Sequence, residues 1–120
     1  ITIISTGRII HNVLEAEKKY LYPQLKCKII NVPTIKPLDK NNLLNAISNA
    51  RKIITVEDHN IIGGLGSLVG EILIESDWRG NFKKLGIKDK FSSIYGDINY
   101  LDEQNGISAK KIAETIKCLV

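Results

Sequence analysis

The stretch that decides the fold runs from residue 53 to residue 73 and reads IITVEDHNIIGGLGSLVGEIL. It begins with an apolar, β-branched run of the kind found in strands that are buried on both faces. A polar and glycine-rich segment follows. Apolar residues then recur at the spacing of one helix face, as Leu65, Leu68, Val69, Ile72 and Leu73. The stretch therefore predicts a strand, a loop and a helix.

The loop of this unit contains three glycines, Gly63, Gly64 and Gly66. Glycine permits positive φ angles and a close approach of the backbone to its neighbours, and the amides at a helix N-terminus attract anions. The spacing G-G-x-G nevertheless matches neither the dinucleotide fingerprint nor a P-loop. We favour close packing of the helix against the sheet, and an anion site at the loop is the alternative.

Four polar residues, Glu57, Asp58, His59 and Asn60, follow the apolar part of the strand, where open α/β sheets bind their ligands. An acid and a histidine could transfer a proton, but no nucleophile or zinc motif accompanies them. We predict instead that Glu57 and Asp58 accept hydrogen bonds from loop amides. His59 is predicted to lie in a contact between subunits or domains.

The rest of the chain alternates strand patterns with helical stripes. Strands are predicted over residues 1–6, 27–32, 52–56 and 82–87, and a helix follows each of them. Asp39 and Ser108 are the predicted N-caps of two of the helices. This order predicts an α/β domain whose mostly parallel sheet carries helices on both faces.

Length and composition place the chain among ordinary globular domains. Its 120 residues suffice for one domain with a sizeable core, and 43% hydrophobic and 25% charged residues are typical values. The net charge is +4, but the basic residues are scattered, so we predict no nucleic-acid partner. The chain contains no methionine and starts within a predicted strand, so we expect it to be a piece of a longer polypeptide.

The cysteines and the apolar segments indicate the cellular compartment in which the chain is expected. Cys27 and Cys118 have no metal-binding spacing and form no disulfide framework, which is typical of a reducing compartment. No apolar run is long enough to span a membrane, and nothing at the N-terminus resembles a signal peptide. We therefore predict a cytoplasmic location with no membrane partner.

Several motifs together resemble the C-terminal domain of transketolases. Residues 55–59 run into the glycines at 63–66 as they do in that family. The family's other motifs occur in the expected order at residues 5–7, 33–39, 85–91 and 106–112. The resemblance covers essentially the whole chain. With the pattern above, it implies a three-layer sandwich with a mostly parallel, mixed sheet of about five strands.

The resemblance implies what the parent enzyme does. Transketolases use thiamine diphosphate and a magnesium ion to transfer a two-carbon ketol unit between sugar phosphates, as in the pentose phosphate pathway. In that family the cofactor lies between the two upstream domains. Residues 1–120 are therefore expected to hold no catalytic, cofactor-binding or metal-binding residue. Their implied roles are contact in a homodimer and support of the upstream catalytic domains or subunit.

Two alternatives to this interpretation stay open. Deoxyxylulose-phosphate synthases and the β subunits of 2-oxoacid dehydrogenases share the domain, although Asp58-His59 and residues 86–89 resemble the transketolase branch more closely. Residues 92–96 depart from the transketolase pattern, which leaves the branch undecided. A free-standing α/β module that binds a small anion at the glycine-rich loop is the second alternative.

The long connection over residues 88–107 is the predicted place of assembly. A segment of this length without regular structure is usually functional or part of an interface, and it carries Phe91, Tyr95 and Tyr100. Such aromatic residues are common anchors of interfaces. We expect them to lie beside residues 59–62 and to form a weak, concentration-dependent dimer.

Overall fold

The computed structural model describes all 120 residues and contains a single sheet. Its four strands are β1 (Thr2–Ser5), β2 (Lys28–Asn31), β3 (Lys52–Asn60) and β4 (Asn81–Ile87). They lie in the order β2-β1-β3-β4, and every neighbouring pair is parallel. The predicted strands are all present. The prediction of a mixed sheet of about five strands is wrong, because the polar residues after β4 form no further strand.

Five α-helices connect and follow the strands: α1 (Ile10–Ala16), α2 (Lys40–Ile47), α3 (Leu65–Glu75), α4 (Ile98–Gln104) and α5 (Ala109–Leu119). A 3-10 turn over Gly7–Ile9 precedes α1, and a π-helical segment over Glu17–Leu21 follows it. The side chains of Asp39 and Ser108 accept hydrogen bonds from the backbone N–H three residues ahead, at 3.0 and 3.3 Å. Both predicted N-caps are therefore confirmed.

The helices cover both faces of the sheet and enclose two apolar cores. Ile3 and Ile54 face α1 and α5 on one side, whereas Ile4 and Ile53 face α2 and α3 on the other. Adjacent residues of a strand point to opposite faces, so the apolar runs of β1 and β3 supply both cores at once. The predicted three-layer α/β architecture is confirmed.

Charged side chains meet helix ends where the strands begin. The ammonium of Lys28 donates to the carbonyl of Ala46 in the last turn of α2, and that of Lys52 donates to the carbonyl of Leu119 at the end of α5, both at 2.5 Å. A cation at this position satisfies carbonyls that have no partner within the helix and complements the helix dipole. We call this side of the sheet the amino edge and the opposite side the carboxyl edge.

Strand β3 is longer than predicted, ending at Asn60 where the sequence pattern indicated residue 56. The pairing with β4 is irregular between Val56 and Asn60 and resumes where Asn60 meets Ile87. The polar residues after Val56 therefore continue the strand along the carboxyl edge, and they build the site described next.

Candidate functional site

Glu57 is completely buried, although its side chain ends in a carboxyl group. Its Oε2 accepts a hydrogen bond from the amide of Leu65 at 2.7 Å, and its Oε1 accepts one from the amide of Gly66 at 2.9 Å. These two amides open α3, whose N-cap residue, Gly64, has no side chain to bond them. A strand residue thus caps the helix that follows it, and the predicted bonding of Glu57 to loop amides is confirmed.

The three glycines of the loop serve two different purposes. Gly63 has a φ of +77°, which favours glycine, whereas Gly64 has an extended backbone with a φ of −95°. A Cβ atom on Gly64 would overlap Oε2 of Glu57 and lie 2.9 Å from its Cδ. A Cβ on Gly66 would lie 2.7 Å from Oγ1 of Thr55. One glycine therefore provides a turn, and the other two provide clearance for the sheet.

Asp58 faces the other side of β3 and forms an ion pair. Its Oδ2 lies 3.0 Å from Nε of Arg8, which follows β1. The two terminal nitrogens of Arg8 donate to the carboxylate of Asp102 in α4 at 2.8 and 2.7 Å, and Asn12 donates to the same carboxylate at 2.9 Å. The prediction that Asp58 bonds loop amides is wrong, because the guanidinium of Arg8, in the 3-10 turn that follows β1, reaches it.

This cluster shifts the pKa values of its members. Burial alone raises the pKa of Asp102, but the hydrogen bonds from Arg8 and Asn12 and the charge of Arg8 outweigh it and hold that pKa below its ordinary value. The hydrogen bond to Asp102 raises the pKa of Arg8. Both groups are therefore charged at neutral pH, and one cation joins two carboxylates.

His59 and Asn60 lie at the exposed end of the strand. The side chain of His59 is 69% exposed, and its Nε2 lies 3.7 Å from Oδ1 of Asp58. The side chain of Asn60 donates to Asp89 at 2.6 Å and accepts from the amide of Ile62 at 2.8 Å. The structure does not bring His59 and the buried carboxylate of Glu57 together, so no acid–histidine pair forms there.

Several apolar side chains in the segments that follow β3 and β4 are exposed. They are Ile62, Phe91, Tyr95, Ile98 and Tyr100. The hydrogen bond from Asn60 to Asp89 joins the end of β3 to the segment that follows β4. The start of this segment, at Asp89, therefore lies beside Asn60, and the placement of Phe91, Tyr95 and Tyr100 beside residues 59–62 stays a prediction.

Sequence reasoning missed Arg8, Asn12 and Asp102, which organise this edge. Asp102 is 94 residues from Arg8 and 90 residues from Asn12 in the sequence, so no local sequence pattern could indicate that they are in contact. The only signal in the sequence was that Arg8 comes directly after strand β1. Residues that follow one strand of a parallel sheet lie near the carboxyl end of the neighbouring strand, here β3.

No group of three or more His, Cys, Asp and Glu side chains is placed to hold a metal ion. No helix has both the length and the apolar character needed to cross a membrane.

Comparison with known proteins places this architecture in a family. The fold is that of an α/β domain. At the end of its third strand, Glu57 accepts hydrogen bonds from the amides of Leu65 and Gly66, which follow the glycine-rich loop. Residues 1–112 match the family model of the transketolase C-terminal domain, and the chain belongs to that family.

Individual relatives agree with this assignment. An apulose-4-phosphate transketolase subunit from Actinobacillus succinogenes is 33% identical over 95% of this chain and 37% of its own length. The 1-deoxy-D-xylulose-5-phosphate synthase of Halothermothrix orenii is 37% identical over 100% of this chain and 19% of its own length. A solved structure described as a split gene transketolase, inactive beta4 tetramer, superimposes with a TM-score of 0.85 at 27% identity. It is matched over 98% of this chain and 38% of its own. The chain thus spans well under half of each of these relatives.

Proposed function

We propose that this chain is the non-catalytic C-terminal domain of a cytoplasmic transketolase that transfers a two-carbon ketol unit between sugar phosphates. In that enzyme it supports the catalytic domains and takes part in a homodimer. The observation that carries the proposal is the hydrogen bonding at the glycine-rich loop, where the amides of Leu65 and Gly66 both donate to the carboxylate of Glu57 and are not free to bind a ligand. A family signature whose polar groups are bonded within the domain is suited to structural support.

The residues of this chain do not fit the cofactor that the family resemblance implies. A diphosphate needs free amides or cations, and a magnesium ion needs carboxylate or other oxygen ligands. The amides of Leu65 and Gly66 already bond Glu57, and the carboxylates of Asp58 and Asp102 bind Arg8. We therefore place thiamine diphosphate and magnesium on the upstream catalytic domains or subunit.

The branch of the family is a finer part of the proposal. The named relatives include both a transketolase subunit and a deoxyxylulose-phosphate synthase, at similar identity. The same supporting role would apply in that synthase or in a 2-oxoacid dehydrogenase β subunit. We favour a transketolase because Asp58-His59 and residues 86–89 resemble that branch more closely.

Calorimetric titration of the 120-residue chain with thiamine diphosphate and magnesium tests the proposal. We expect no saturable binding at micromolar concentrations and no ketol transfer by the chain alone. The control is the same titration after the upstream catalytic part has been added, which should restore binding. Saturable micromolar binding to the chain by itself would overturn the supporting role.

Titration with inorganic phosphate separates this proposal from a free-standing anion-binding module. An anion at residues 63–66 would compete with the carboxylate of Glu57 for the first amides of α3. Because that carboxylate is part of the chain and already in place, we expect phosphate not to bind. Saturable phosphate binding would favour the anion-binding module.

A further inference from the structure

We propose that a crevice at the amino edge of the sheet binds a small molecule that carries two phosphoryl groups. The crevice has a volume of about 600 Å³, which is within the range of small-molecule sites. It lies between the starts of β1, β2 and β3 and the ends of α2 and α5, at the opposite edge of the sheet from Glu57. Such a site is additional to the supporting role proposed above and does not depend on it.

Four positively charged side chains line the crevice, and no aspartate or glutamate does. They are Lys26, Lys28, Arg51 and Lys52. None of the four forms an ion pair with a carboxylate, whereas cations elsewhere on the domain, such as Lys40, do. A cleft lined by charges of one sign concentrates the electrostatic potential and attracts ligands of the opposite sign. The crevice therefore favours an anion.

Two of these cations are held in place by helix ends. The ammonium of Lys28 donates to the carbonyl of Ala46, and that of Lys52 donates to the carbonyl of Leu119. Each ammonium has three N–H donors, so donors remain for a ligand. The two helix ends offset roughly half a unit of positive charge each. About three of the four positive charges are therefore left uncompensated.

The cations form two pairs, one on each side of β1. Lys26 and Lys28 lie at or just before the start of β2, and Arg51 and Lys52 lie at the start of β3. Neighbouring strands are about 4.8 Å apart, so the backbones of the two pairs are about 10 Å apart. A phosphoryl group carries a charge of about −1.5 to −2 at neutral pH, which matches one pair. Two phosphoryl groups joined by a short carbon chain fit this arrangement.

Uncharged polar groups complete the lining of the crevice. Asn45, Ser48 and Asn49 are exposed there, and their amides and hydroxyl can bond the hydroxyl groups of a polyol. Ile1 and Val120 also line the crevice, where the opposite charges of the two chain ends cancel. The lining therefore suits a phosphorylated polyol better than a bare inorganic anion.

Calorimetric titration of the 120-residue chain with fructose 1,6-bisphosphate tests the site. We expect saturable binding at low ionic strength that weakens as salt is added, because exposed charges are screened. Inorganic phosphate contacts one pair of cations at a time, so it should not reach saturation over the same concentration range.

A double variant, Lys26→Gln with Arg51→Gln, should weaken the binding of the bisphosphate by roughly tenfold or more. It removes one charge from each pair and leaves in place the two lysines that bond helix ends. Lys88→Gln with Lys90→Gln is the matched control, because it removes the same charge from exposed positions at the carboxyl edge. It should leave the binding unchanged, and circular dichroism should show that both variants fold.

Three results would overturn the proposal: no saturable binding of the bisphosphate, binding that the crevice variant does not weaken, or equal weakening by the control variant. A glutamate-rich peptide is titrated in parallel. If it binds and the bisphosphate does not, the crevice serves an acidic polypeptide and the proposal is wrong. None of these results affects the supporting role, which the titration with thiamine diphosphate tests separately.

Discussion

Glu57 joins the strand and the helix of the central unit through one side chain. Burial of a carboxylate is costly unless hydrogen bonds and nearby positive charge offset it. Here two amide donors supply charge-assisted bonds, and the N-terminal end of the α3 dipole adds favourable electrostatics. The side chain therefore stabilises the loop that it encloses.

Replacement of Glu57 by glutamine should destabilise the domain by roughly 1–3 kcal/mol. Glutamine has nearly the same shape, but its NH₂ group would face one of the two amides that now donate to the carboxylate. Urea denaturation at pH 7 measures the change. Asp39→Asn is the control, because asparagine is an equally good N-cap and the cap of α2 is exposed. Equal stability of the two variants would show that the buried carboxylate is dispensable.

Gly64→Val should destabilise the domain by roughly 1–3 kcal/mol, because the site has no room for a side chain. The cause is overlap with Glu57, whose carboxylate is held by two amides and cannot move away cheaply. The backbone of Gly64 is not in the left-handed region. The midpoint of thermal unfolding reports the loss.

Gly63→Asn provides the comparison within the same loop. A Cβ atom on Gly63 meets nothing within 4 Å, and asparagine tolerates its positive φ better than most residues. We expect a much smaller effect than at Gly64. An unchanged midpoint in Gly64→Val would show that Glu57 can be displaced without cost.

At the scale of elements, α4 depends on Asp102 for its attachment to the sheet. Arg8 and Asn12 hold the carboxylate, and the carbonyl of Asp102 accepts hydrogen bonds from the amides of Ile107 and Ser108, at 2.8 and 3.1 Å. One residue therefore links the 3-10 turn that follows β1 and the helices α1 and α4 to the start of α5. Loss of its charge should loosen the segment that carries the exposed aromatic side chains.

The lowered pKa of Asp102 predicts a pH dependence of stability. The folded state favours the charged carboxylate, so this contribution is present above the ordinary pKa of 3.8 and is lost as pH falls through the lower folded value. We expect Asp102→Asn to be less stable than the unaltered chain at pH 7 by roughly 1–3 kcal/mol. The difference should shrink below pH 4.

Urea unfolding between pH 7 and pH 2 measures this dependence. Glu75→Gln is the control, because Glu75 also has a lowered pKa, through its pair with Lys40, but the pair is exposed to solvent. Its effect at pH 7 should be smaller. A constant difference between Asp102→Asn and the unaltered chain would exclude the ion pair as the cause.

The sequence predicted the elements with local signals and missed those that depend on distant contacts. The caps Asp39 and Ser108 and the apolar stripe of α3 are local patterns, and each prediction is confirmed. The connection over residues 88–107 was treated as lacking regular structure, but it contains α4, which begins at Ile98 after the N-cap Asp97. The strand β3 exceeds its apolar run because pairing with β4 extends it through polar residues.

For the whole molecule, the order of strands and helices predicted the layered architecture, whereas the contacts of the site at the carboxyl edge were in part visible only in the folded structure. The alternation of strands and helices led to the three-layer α/β architecture and to the four strands that are present, whereas the count of about five strands, implied with the family resemblance, was too high by about one. The bonding of Glu57 was predicted because its partners lie eight and nine residues ahead. The contact between Arg8 and Asp102 was not, since their juxtaposition exists only after the strands have been ordered.

The placement of charge on β3 has a consequence for how that strand finds its neighbours. A strand that is apolar on both faces could slide by one residue and still bury hydrophobic side chains, as Ile53 and Ile54 would. Such a slip would turn Glu57 away from α3 and Asp58 away from Arg8, and would draw Lys52 off the end of α5. The contacts of the charged residues at both ends of the strand thus favour the native register over one that is shifted by a residue.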